Sequence, residues 1–110
     1  MRSVERREHF RIPYPLTERA RLVLGTAICE VLDCSERGLA LRLPEGVEFR
    51  PGDDVEGRLR LRHGADVRVE GVVLRRWGPV VSVRLFGCGV PFGAILREQL
   101  HLRNHVLPFE

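Results

Sequence analysis

Cysteine is scarce: the chain has only Cys29, Cys34 and Cys88, an odd number with no C-x-x-C pair. That pattern excludes a disulfide framework and a zinc knuckle, and leaves reduced, partly buried thiols as the expectation. No stretch approaches the roughly 18 to 20 apolar residues of a membrane span, so none is expected. The N-terminal MRSVERREHFR has no apolar core of the signal-peptide kind, which points to a cytoplasmic address. Net charge is only +3, too small for indiscriminate binding to a nucleic-acid polymer. One Trp, one Tyr and five Phe are too few for a groove that binds single strands, which needs several exposed aromatics beside its basic residues. Lysine is missing altogether, all 18 basic residues being arginine, a bias that high genomic G+C explains. No P-loop, nucleophile elbow or paired-carboxylate signature is present, so no catalytic residue is assigned and no enzyme is expected.

What is present suits one small soluble domain. At 110 residues, with 44% hydrophobic and 30% charged residues, the chain can build a core without metal or disulfide support. Residues 1–18 read as a flexible arm that ends in IPYP, where Pro13 and Pro15 disfavour helix. From residue 19 to 110 the pattern is mostly strand, closed by a helix over about 91–107. RARLVLGTAICEVLDC alternates as one long strand, bent at Gly25. GLALRLP places Leu39, Leu41 and Leu43 on one face. VEGRLRLRH turns Val55, Leu59 and Leu61 inward and the arginines at 58, 60 and 62 outward. VRVEGVVLRRW and VVSVRLFG follow. Five or more short strands with tight turns indicate a small antiparallel barrel or sandwich. In PFGAILREQLHLRNHVL, Phe92, Ile95, Leu96, Leu100 and Leu107 take helical spacing, with Leu102 and Val106 alongside, which predicts a helix packed on the barrel. His101 and His105 stand four apart on that helix, but neither a third ligand nor a zincin glutamate accompanies them, so they read as exposed and no metal site is assigned.

Two constellations bear on function. In RREHFR, Arg7 and Arg11 are four apart, which puts both on one face of a helix or of an extended chain. Extended, they lie roughly 13 Å apart, comparable to a dinucleotide. The guanidinium fork grips phosphate or the O6/N7 edge of guanine, and its flat cation stacks on bases. The other reading of this segment is a solvated charged tail. In DCSERG, Asp33 offers an acceptor suited to the N1–H and N2–H₂ donors of guanine. Ser35 projects from the same side, and Gly38 permits positive φ or close approach of a ligand to backbone. The alternative is a turn in which Asp33 and Ser35 bond their own main chain. Arg76 or Trp77, near a strand end, supplies a stacking plane on one reading and rim packing on the other.

Taken together, R-x-x-x-R followed by D-x-S-x-x-G resembles the PilZ family, the bacterial cyclic di-GMP receptor module. Arg7, Arg11, Asp33, Ser35 and Gly38 fill every motif position. The resemblance implies a mainly β fold, a six-stranded antiparallel barrel with a C-terminal α-helix, and a non-catalytic receptor without a cofactor. It also implies that Arg6, an additional arginine just before the motif, favours an intercalated dimer of the nucleotide. The expected partners are cyclic di-GMP and an unidentified downstream protein, acting on motility, biofilm or exopolysaccharide. The alternative implied by the same family is a protein-interaction subunit that ignores nucleotide, as in pilus assembly.

Overall fold

Alternation of apolar and polar residues, with turn residues at short intervals, is what a half-buried strand requires. The computed structural model describes residues 11–105. Among them are seven strands, β1 (Ile12–Pro13), β2 (Ala20–Leu24), β3 (Ala27–Cys34), β4 (Gly38–Arg42), β5 (Asp54–Arg60), β6 (Asp66–Trp77) and β7 (Val80–Leu85), then one helix, α1 (Phe92–His105). β3, β2, β5, β6, β7 and β4 follow one another around a ring that closes where β4 pairs with β3. Every pairing is antiparallel. This is the six-stranded barrel that the family resemblance implied, with β1 added on the edge of β3.

The segment expected as one long strand is instead a hairpin. Leu24 pairs with Ala27, and Gly25 takes φ 61° in the two-residue turn between them. A glycine at the first central position is what a tight hairpin turn favours, because its twist suits the flanking strands. The end of the expected arm is also structured: Ile12 and Pro13 pair with Cys34 and Asp33, and the Tyr14 amide donates to the Leu32 carbonyl at 3.0 Å.

Inward residues from all six ring strands fill the barrel. Leu22, Val31, Leu41, Leu59 and Val81 are wholly buried. The inward sets Leu39/Leu41/Leu43 and Val55/Leu59/Leu61 fall where the sequence pattern puts them. Two bulges interrupt the alternation. On β3, Val31 opposes Leu41 and Asp33 opposes Ala40, so Leu32 is an extra residue. The strand changes phase there: Asp33 turns outward and Cys34 returns to the core. On β6 the extra residue is Leu74, between Val73 (opposite Val83) and Arg75 (opposite Ser82). Arg75 and Trp77 are thereby placed on the outer wall.

Helix α1 lies across the end of the barrel where β5 leads into β6. It buries Ala94, Ile95, Glu98 and Leu102, while Phe92, Leu96 and Leu100 stay about half exposed. The face expected to pack is therefore misplaced, apart from Ile95 and Leu102; Leu107 and Val106 lie outside the described residues. The reason is Glu98, a fully buried carboxylate that no hydrophobic pattern would put inside. Its Oε2 accepts from the Tyr14 hydroxyl (2.6 Å) and the Arg62 amide (2.7 Å), and its Oε1 from the His63 amide (2.9 Å) and His63 Nδ1 (2.7 Å). Four donors satisfy the buried anion and rotate the helix to bring it there. No described helix is long and apolar enough to cross a membrane.

Candidate functional site

β4, β7 and β6 lie side by side, and their outward residues make one wall of the barrel. The register aligns Gly38 with Arg84 and Val72, and Ala40 with Ser82 and Arg75. Gly38, Ala40 and Ser82 are small, so the wall is hollowed along its middle. A cleft of about 390 Å³ forms there, with Leu74, Arg75 and Trp77 on one side and Arg11 and Arg37 on the other. That volume lies in the range of small-molecule sites. The hollow continues past Arg37 and Arg84 toward Phe86. No carboxylate lines either part, and none of Arg37, Arg75 and Arg84 has an ion-pair partner among the described residues.

The turn from β3 to β4 positions one lip. The Ser35 amide donates to the Gly38 carbonyl (2.9 Å), and the Gly38 amide donates to Ser35 Oγ (3.1 Å). Ser35 is buried, with its hydroxyl also 3.3 Å from the Gly38 carbonyl. The hydroxyl thus closes its own turn. Gly38 has no positive φ; its lack of a side chain serves close packing instead, since a Cβ there would meet the Val83 carbonyl oxygen at 3.1 Å. Asp33 makes no such local bond. It accepts from Arg11 Nη1 at 2.8 Å, across 22 residues of sequence.

The structure therefore brings Arg11, Asp33, Ser35 and Gly38 to one place, while Arg6 and Arg7 lie outside the described residues. Trp77 is 54% exposed on the cleft, with the Arg75 guanidinium 6.0 Å from its ring centroid, the outer edge of a cation–π contact. Arg76 points elsewhere, donating to Glu48 Oε1 (2.8 Å) and to the carbonyls of Gly78 and Phe49. Sequence reasoning did not single out Arg37, Arg75 or Arg84. The alternation of VVSVRLFG carries the signal for Arg84, while Arg75 reaches the cleft only through the bulge at Leu74.

Compared with protein families, the sequence matches the PilZ domain across residues 5–106, nearly its whole length. The chain belongs to the PilZ family. A PilZ domain is a ligand-receiving module rather than a catalytic one, and Ser35, Arg37 and Gly38 of the second motif, DCSERG, line the cleft of this PilZ domain. A search among curated proteins returned no match. No group of three His, Cys, Asp or Glu among the described residues is placed to hold a metal ion.

The cysteines of the domain are free thiols. Burial pushes the Cys34 thiol up to about 12, with the charges of Glu98 and Asp33 adding to it, and burial also raises Cys29. Both are neutral core residues, as their inward positions demand. For Glu98, burial alone would raise the carboxyl. The bonds from Tyr14, the Arg62 amide and His63 outweigh that and hold it below the usual carboxylate range. Burial and the bond to Glu98 raise the Tyr14 hydroxyl, so the proton stays on Tyr14.

Proposed function

We propose that this domain is a receptor for cyclic di-GMP, held in the β4–β7–β6 cleft, and that occupancy changes a surface read by a downstream protein. The observation that carries this reading is the Arg11–Asp33 pair at the lip of a cleft lined by arginines and by no carboxylate. A cyclic dinucleotide brings two phosphate charges and two guanines. Guanidinium groups match the phosphates and the O6/N7 edge, and an ionised carboxylate matches the N1–H and N2–H₂ edge. The Arg11 and Asp33 side chains are 62% and 27% exposed, so their pairing contributes at most about 1 kcal/mol. Both groups can be exchanged to the ligand at small cost: Asp33 to a guanine, Arg11 to a phosphate. The floor of Gly38, Ala40 and Ser82 leaves a flat ring room against the backbone, and Trp77 offers a stacking face. Ser35 acts by holding the turn.

Arg7, and Arg6 before it, complete the clamp as the arm folds over the cleft. With Arg6 present the ligand is an intercalated dimer, whose four phosphate charges need the extra cation. Each charge-assisted contact contributes about 1.5 to 3 kcal/mol, against about 1 to 2 kcal/mol per residue ordered in the arm. Affinity is accordingly micromolar to submicromolar. The output, by family, concerns motility, biofilm or exopolysaccharide in a bacterial cytoplasm. Calorimetry with cyclic di-GMP on the wild type and on Arg7→Ala and Arg11→Ala tests the reading. Binding by the wild type and about tenfold or greater loss in each variant is expected; no binding, or equal binding by all three, refutes it. A ratio of one nucleotide per chain at saturation removes the dimer and leaves the receptor.

A further inference from the structure

We propose that Glu98 is a positioning residue for the nucleotide cleft: through Tyr14 it fixes the segment that presents Arg11, and by the same bond helix α1 responds to whether the cleft is filled. This rests on the cyclic di-GMP reading above, and its test separates the two.

Arg11 stands three residues before Tyr14. Between them, β1 is only two residues long, and one of these is Pro13, which has no amide to donate. Backbone bonding alone therefore holds this segment weakly. Ile12 and Tyr14 supply the rest, each about 95% buried or more. Tyr14 adds a 2.6 Å bond from its hydroxyl to the Glu98 carboxylate, in the short range of charge-assisted O–H···O⁻ contacts. That carboxylate also takes the two amides and the ring of the β5–β6 turn. One buried anion thus ties together three parts of the chain that are remote in sequence: residue 14, residues 62–63 and the middle of α1.

A wholly buried carboxylate tolerates no loss of donors, because an unsatisfied charge in the interior is costly. Tyr14 cannot be drawn away unless α1 follows or the anion is left short. Arg11 stands where this matters. It borders the nucleotide cleft on one side. On the other it borders a groove of about 260 Å³ between β1 and the second half of α1, which Gln99, Leu102 and Arg103 line from the helix. Recruiting Arg11 to a ligand phosphate therefore alters the seam between arm and helix. By reciprocity, whatever fixes that seam alters ligand affinity.

The test is calorimetry and hydrogen-exchange mass spectrometry on the whole chain with cyclic di-GMP, using Tyr14→Phe and His63→Ala. Tyr14→Phe keeps the buried ring and removes one donor. His63→Ala removes a donor from the other oxygen of the same carboxylate without touching the arm. Tyr14→Phe is expected to weaken cyclic di-GMP by about fivefold or more. His63→Ala leaves the Tyr14–Glu98 bond in place, so it is expected to lower the melting temperature yet leave affinity within about twofold. In the wild type, saturating ligand slows exchange in α1; in Tyr14→Phe at saturation that slowing is lost. Equal affinity losses in the two variants, wild-type affinity in Tyr14→Phe, or α1 exchange that ignores bound ligand in the wild type would each overturn the proposal. The last needs no variant, so it stands even if Tyr14→Phe does not fold. Failure of the wild type to bind the nucleotide at all is a different result, and refutes the receptor reading itself.

Discussion

The two walls to which β6 contributes carry arginine in different company. On the side shared with β5, Arg58 faces Asp66 at 3.8 Å, and Arg68 reaches both Glu56 and Glu70. On the side shared with β7, Arg75 and Arg84, joined by Arg37, have no ion-pair partner among the described residues. Both walls are basic, so positive charge does not distinguish them. What differs is whether the charge is already answered. Exposed pairs like those on β5 contribute little to stability, but they do satisfy the guanidinium groups. On the β7 side that partner has to come from elsewhere.

The comparison breaks most directly by reversing one charge on each wall. Arg84→Glu should weaken cyclic di-GMP about 100-fold, by losing a charge-assisted contact and adding repulsion. Arg58→Glu should leave calorimetric affinity nearly unchanged. Equal effects would mean that only overall charge matters. Next in size is Gly38→Val. Its first carbon would stand 3.1 Å from the Val83 carbonyl oxygen, so urea unfolding should report about 1 to 3 kcal/mol of destabilisation. Asp33→Ala should cost about tenfold in affinity, whereas Asp66→Ala, across the barrel, should cost none.

The last test belongs to neither wall and reads a pH dependence. The Glu98 carboxyl is held below its ordinary 4.5 in the folded chain. Its ionised form therefore contributes stability that is complete above that value and is lost as pH falls through the lower folded value. Thermal melting from pH 7 downward should show the decline beginning below about 4.5, and Glu98→Gln should flatten that part of the curve while lowering stability at neutral pH.

The barrel was legible because period-two alternation survives in GLALRLP, VEGRLRLRH and VVSVRLFG, where every inward residue but Gly57 is a Leu or Val. Two things hid the rest. The hairpin at Gly25 has apolar residues on both flanks, so nothing in composition separates a turn from a bend. The helix face was misread because its central buried residue is an acid whose donors, Tyr14 and residues 62–63, are far away in sequence. In the site, Asp33 was legible as an outward acceptor within a motif, and Arg11 as its companion. Ser35 was ambiguous between ligand contact and turn closure, and its hydroxyl closes the turn. Arg75 and Trp77 were illegible in another way, since strict counting from Val73 would send both into the core.

That miscount has a consequence for how the wall can be altered. Because Leu74 is the surplus residue of β6, deleting it would close the bulge and leave Arg75 and Trp77 facing outward in plain alternation. Drawing Leu74 into the ladder as a paired residue would instead drive Arg75 and Trp77 toward the interior and bring Arg76 out in their stead. The recognition surface is thus written in a frame that survives losing the surplus residue but not pairing it.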